Sequence, residues 1–147
     1  MRAQSVQRRG LWLGLPADRV TLDYDDRCRR RIAMTGEGGL YFLLDLAHAT
    51  YLKEGDALVL EDGRFIEIKA KPEDLLEIKG QDPMHLTTLA WHLGNRHLAA
   101  QIEPERILIR YDRVIAHMLE HQGARLRQVR EPFNPEGGAY SHHGHEH

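Results

Sequence analysis

Apolar residues follow two different rhythms along this chain. Before Pro72 they alternate in short runs; after it, helical spacing enters. Val20, Leu22 and Tyr24 alternate with polar neighbours, the mark of a half-buried strand. Leu58–Glu61, then Asp62-Gly63, then Arg64–Ile68 read as a hairpin, because Asp-Gly takes the positive φ angles of a tight turn. Gly38-Gly39 and Gly55-Asp56 mark two further turns. The first part is therefore a small β unit.

From Pro72 onward the reading changes. Leu75–Ile78 is a strand stopped by Gly80. Asp82 caps a helix with Pro83 at its first position, where a missing N–H costs nothing. Leu86, Leu89, Ala90 and Leu93 then form one helical stripe, and Gly94-Asn95 supply residues that tolerate a left-handed cap. Strands follow around Leu98–Ile102 and Ile107–Arg110. A second helix starts near Asp112, turns Val114, Ile115, Met118 and Leu119 inward, and stops at Gly123 before a last strand over Ala124–Arg130. The order β-α-β-β-α-β is the ferredoxin-like one. The expectation is an α+β chain: a β domain over 1–73, a ferredoxin-like domain over 74–133, and a disordered His-rich tail over 134–147.

Composition narrows the chemistry. With 147 residues, 41% hydrophobic and 29% charged, the chain is a globular type. A net charge of −2 offers no overall basic field for nucleic acid, and the Arg27–Arg31 cluster follows Asp23, Asp25 and Asp26. Cys28 is the only cysteine, which excludes an intrachain disulfide and multi-thiolate zinc modules. No run reaches the ~18 apolar residues needed to cross a bilayer. A soluble, cytoplasmic protein is expected.

Histidine is where chemistry concentrates. Four of the ten histidines, His142, His143, His145 and His147, lie in the last six residues. Imidazoles there suit Ni, Zn or Cu. A purification tag is the bland alternative, but Gly144 and Glu146 interrupt the run. His117-Met118-Leu119-Glu120-His121 matches H-x-x-E-H, with both imidazoles on one helix face. A zinc hydrolase built on it would need a third ligand and a cleft, so two surface histidines are the simpler reading. His85 and His92 read as surface residues as well. His97, just past the first helix, cannot close a site alone, but a two-fold dimer would supply it twice.

Trp91-His92-Leu93-Gly94-Asn95-Arg96-His97 resembles the signature of the urease accessory protein UreE family, which are nickel metallochaperones. The resemblance extends over nearly the whole chain. It includes Asp26-Arg27 with Arg31, Gly55-Asp56-Ala57-Leu58, Glu73–Ile78, and Pro132–Tyr140 leading into the histidines. It implies a peptide-binding type of N-terminal domain and a homodimer formed through the second domain. In that dimer two copies of His97 bring one Ni2+ to the interface, with Zn2+ as a possible substitute. The tail histidines would complete or feed this site, the urease accessory GTPase and apo-urease would be the partners, and no catalytic centre is implied. Some family members carry extra histidines before the second helix, where Ile109–Arg113 has none. A general metal buffer is the remaining alternative.

Overall fold

A computed structural model describes residues 1–136. It divides into two compact units, Met1–Lys71 and a second beginning at Pro72. The histidines at 142, 143, 145 and 147 lie outside the described residues.

The first unit is a mixed sheet of β1 (Arg2–Gln7), β2 (Asp18–Leu22), β3 (Arg31–Thr35), β4 (Tyr41–Asp45), β5 (Ala57–Leu60) and β6 (Phe65–Ala70). The strand order is β2-β6-β5-β1-β4-β3. Alternation sets the core: Ile66, Ile68 and Ala70 of β6 are buried, and Ile66 and Ile68 pack in one cluster with Phe42, Leu44 and Leu58. The two edges are drawn together. Asp18 of β2 accepts from the backbone N–H groups of Gly38 and Leu40, and Glu37 donates to the Arg19 carbonyl. Those bonds tie β2 to the loop between β3 and β4 and curl the sheet toward a barrel. The Gly38 N–H bond is the main reason that the Asp18 carboxyl is held below its ordinary pKa.

Two expectations for this unit need correction. β2 ends at Leu22, because the Asp23 side chain accepts from Asp26 N–H and caps a short helix, α1 (Tyr24–Arg27). Tyr24 therefore leaves the strand and opens α1, with Cys28 at its C-cap. In the hairpin only Gly63 has positive φ, and Leu60 N–H bonds the Arg64 carbonyl. That is a three-residue loop with a glycine bulge, not a two-residue turn. The arginine cluster is also structural. Arg27 is fully buried, donating to the Leu22 and Leu52 carbonyls and lying 5.7 Å from the Tyr51 ring centroid.

The second unit comprises β7 (Pro72–Lys79), α2 (Pro83–Asn95), β8 (Gln101–Ile102), β9 (Ile107–Arg110), α3 (Arg113–His121) and β10 (Arg125–Pro132). All its ladders are antiparallel, in the order β10-β7-β9-β8. This is the split βαβ, ferredoxin-like arrangement. The helices bury Leu89, Leu93, Ile115, Ala116 and Leu119 against Leu76, Ile78, Ile107 and Ile109. Val114, expected inward, is 75% exposed. Each helical residue turns 100°, so centring the face on Ile115 and Leu119 brings in Ala116 and swings Val114 out.

On the β strands, Glu77 is buried in an ionic network. Arg106 donates to Glu77 at 2.9 Å and to Glu131 at 2.8 Å, and Arg127 reaches Glu77 at 3.2 Å. Burial pushes the Glu77 pKa up, but its bonds to Arg106 and Arg127 outweigh that and hold it below the ordinary value. No described helix is long and apolar enough to cross a membrane.

Candidate metal centre

The position of His97 follows from how α2 begins and ends. Asp82 accepts from the His85 N–H at 2.7 Å, and Pro83 opens the first turn as expected. At the other end the helix runs through Gly94 and Asn95, with Arg96 as C-cap. The left-handed residue is then His97, with φ 60°, and not Gly94 or Asn95. His97 N–H bonds the Gly94 carbonyl at 3.0 Å, and Leu98 N–H bonds the Leu93 carbonyl at 3.3 Å. These two bonds define the Schellman motif, in which the left-handed position is normally glycine. Leu98 completes the motif by packing in the apolar cluster that holds Leu93. Among the described residues, His97 is the one non-glycine at positive φ. Such a conformation costs about 1–2 kcal/mol and recurs at functional sites. The imidazole it places is exposed.

The chain also returns to this neighbourhood at its end. Asn134 N–H donates to the Gln101 side chain at 2.8 Å, and Glu136 N–H donates to the Ala100 carbonyl at 2.8 Å. Phe133 and Pro135 are buried. Asn134–Glu136 were expected to begin the disordered tail; instead they are held against β8. Ala100 is three residues from His97, hence within ~11 Å of it along the backbone. His142 follows Glu136 by six residues, a reach of up to ~20 Å. This clasp was not expected from sequence, because its partners lie over thirty residues apart.

The other histidines divide sharply. His85 is not a loose surface residue. Its Nδ1 accepts from Gln81 N–H at 2.9 Å and its Nε2 donates to the Gln122 carbonyl at 2.8 Å, so both ring nitrogens are engaged. His92 packs edge-on to Trp91, with centroids 5.1 Å apart. His117 and His121 are exposed on α3, with their Nε2 atoms 3.1 Å apart. Among the described residues no group of three or more His, Cys, Asp or Glu could hold a metal ion. The three-ligand centre that a zinc hydrolase on His117, Glu120 and His121 requires is therefore not assembled among them. His97 likewise belongs to no such group of three among the described residues.

Two family models cover this chain. The N-terminal domain of the UreE urease accessory protein matches residues 4–71, and its C-terminal domain matches residues 73–147. The chain belongs to the UreE family. The urease accessory protein UreE of Ruegeria pomeroyi is 54% identical over 147 residues, covering 98% of this chain and 96% of the relative. That of Bradyrhizobium sp. (strain ORS 278) is 56% identical across 100% of this chain and 70% of its own length. That of Rhodopseudomonas palustris (strain HaA2) is 57% identical across 96% of this chain, which spans 66% of that relative. The join between the two UreE models falls beside the division between the two compact units. Within the C-terminal UreE domain lie His97, the chain's return to β8, and all four tail histidines.

Proposed function

We propose that this UreE-family chain is a cytoplasmic nickel metallochaperone for urease maturation. It works as a homodimer, with Ni2+ as cargo handed to apo-urease together with the urease accessory GTPase. The observation that carries this reading is the left-handed His97. A helix end that glycine would satisfy without strain carries an exposed imidazole instead, close to the point where the chain runs on toward His142, His143, His145 and His147. Imidazole is a suitable ligand for nickel, and for zinc. One His97 cannot complete a coordination shell, whereas a two-fold axis beside it would contribute two. Trp91 and Met84, 63% and 74% exposed on α2, offer apolar surface for such an interface.

Anchor and tail have different jobs in this reading. The paired His97 residues select and hold the ion; the tail ligands capture it and leave one at a time, so the ion can be released. Nickel titration by calorimetry tests the division, using the full chain, His97→Ala, and a variant with all four tail histidines changed to alanine. His97→Ala should weaken the tightest site by about 100-fold, ~2.7 kcal/mol. The tail variant should keep that site, with fewer ions bound and weaker affinity. An unchanged tightest site in His97→Ala would overturn the reading.

A further inference from the structure

His117 and His121 stand one turn apart on α3, exposed, with ring centroids 4.6 Å and Nε2 atoms 3.1 Å from one another. In the neutral pair one Nε2 must carry the proton it donates to the other. If that ring takes its Nδ1–H tautomer, both Nε2 lone pairs converge on one point in solvent. An ion ~2.1 Å from each nitrogen would then subtend an angle of about 95°. This lies nearer the right angle of octahedral or square-planar coordination than the wider tetrahedral angle of zinc. We propose that His117 and His121 form a second metal site, a two-imidazole clip for Ni2+ or Cu2+ with water in the remaining positions.

The clip is separate from the His97 site of its own chain. His85, in the first turn of α2, bonds the Gln122 carbonyl just beyond α3. The end of α3 therefore lies beside the start of α2, while His97 follows the far end of that 13-residue helix. At 1.5 Å rise per residue the two ends of α2 are ~18 Å apart. One ion cannot serve both sites. His85 itself is excluded from the clip, since both its nitrogens are already bonded. A site of two exposed ligands binds weakly and exchanges fast, which suits transient loading from solvent and not storage.

The test uses the full chain with His97 and the four tail histidines changed to alanine, so that the delivery reading and the clip cannot be confused. Calorimetric titration with Ni2+ and, separately, Cu2+ should show one site per chain. Adding either His117→Ala or His121→Ala should weaken it at least tenfold, because chelation is lost. In hydrogen exchange, saturating metal should slow the amides of α3 in the background protein and leave them unchanged in the two added variants. Equal affinity with and without His117 would mean lone-imidazole binding and would overturn the clip, as would exchange in α3 that metal leaves unchanged.

Discussion

The two helices of the second unit end in the same motif with different residues at its key position. α3 closes with Gly123 at φ 82°, its N–H on the Glu120 carbonyl and Ala124 N–H on the Leu119 carbonyl at 3.1 Å. α2 closes with His97 at φ 60°, its N–H on the Gly94 carbonyl and Leu98 N–H on the Leu93 carbonyl. The hydrogen bonds correspond one for one, and in each the buried C3 leucine belongs to the same core cluster. Glycine is the strain-free solution, and α3 uses it. α2 gives it up for an imidazole. The contrast sets two ends of one unit side by side: α3 closes on the strain-free residue, whereas α2 carries the cost of a side chain at positive φ.

The comparison breaks most visibly at Gly123. A Cβ added there would sit 3.1 Å from the Gln81 side-chain nitrogen, which donates to the Gly123 carbonyl, and the left-handed backbone adds strain. Gly123→Ala should lose about 1–2 kcal/mol. α2 and α3 are the only described helices longer than one turn, so helical circular dichroism in a urea titration reports on this unit selectively. A loss below ~0.3 kcal/mol would mean that the motif tolerates side chains, and His97 would need no special account.

The helix starts provide the matched control. Asp82 accepts from His85 N–H at 2.7 Å and Asp112 from Ile115 N–H at 3.0 Å. Asp82→Ala and Asp112→Ala should each cost ~1 kcal/mol, and nearly the same amount, by the same titration. Markedly unequal losses would show that the two helices are held differently throughout, not only at their ends.

How far the sequence reveals these features depends on whether each signal is local. The Asp82-Pro83 start, the Ile107–Arg110 strand and the Asp112 cap are written in adjacent residues, and the structure has them where they were expected. β1 was not recognised, because Arg2–Gln7 offers only Ala3 and Val6 as apolar positions. Its place between β4 and β5 comes from pairing with residues about forty positions and more away. The same distance hid the bonds of Asn134 and Glu136 to the β8 region. Family resemblance and the logic of two-fold symmetry single out His97, whereas the local signal puts the left-handed residue at Gly94-Asn95 and the structure has it at His97. Glycine is the stronger local signal for a left-handed turn, and it prevailed over the subtler one. Leu93 and Leu98, five apart and both apolar, bracket a Schellman motif and would have placed position 97 at its left-handed residue.

The smallest expected change is the most discriminating. His97→Gly relieves the positive φ and keeps both hydrogen bonds of the motif, which are backbone to backbone. The gain is bounded by the strain released, less the entropy that glycine adds to the unfolded chain, so the unit should become more stable by about 0.5–1 kcal/mol. His97→Ala keeps the Cβ and the strain, and should leave stability near that of the parent. Both substitutions remove the imidazole and should weaken nickel binding equally. A helix cap retained for stability would give the opposite result, with glycine neutral or harmful and metal binding indifferent to both. Only a residue kept for what it binds predicts that the protein becomes more stable and less able to hold its cargo in one step.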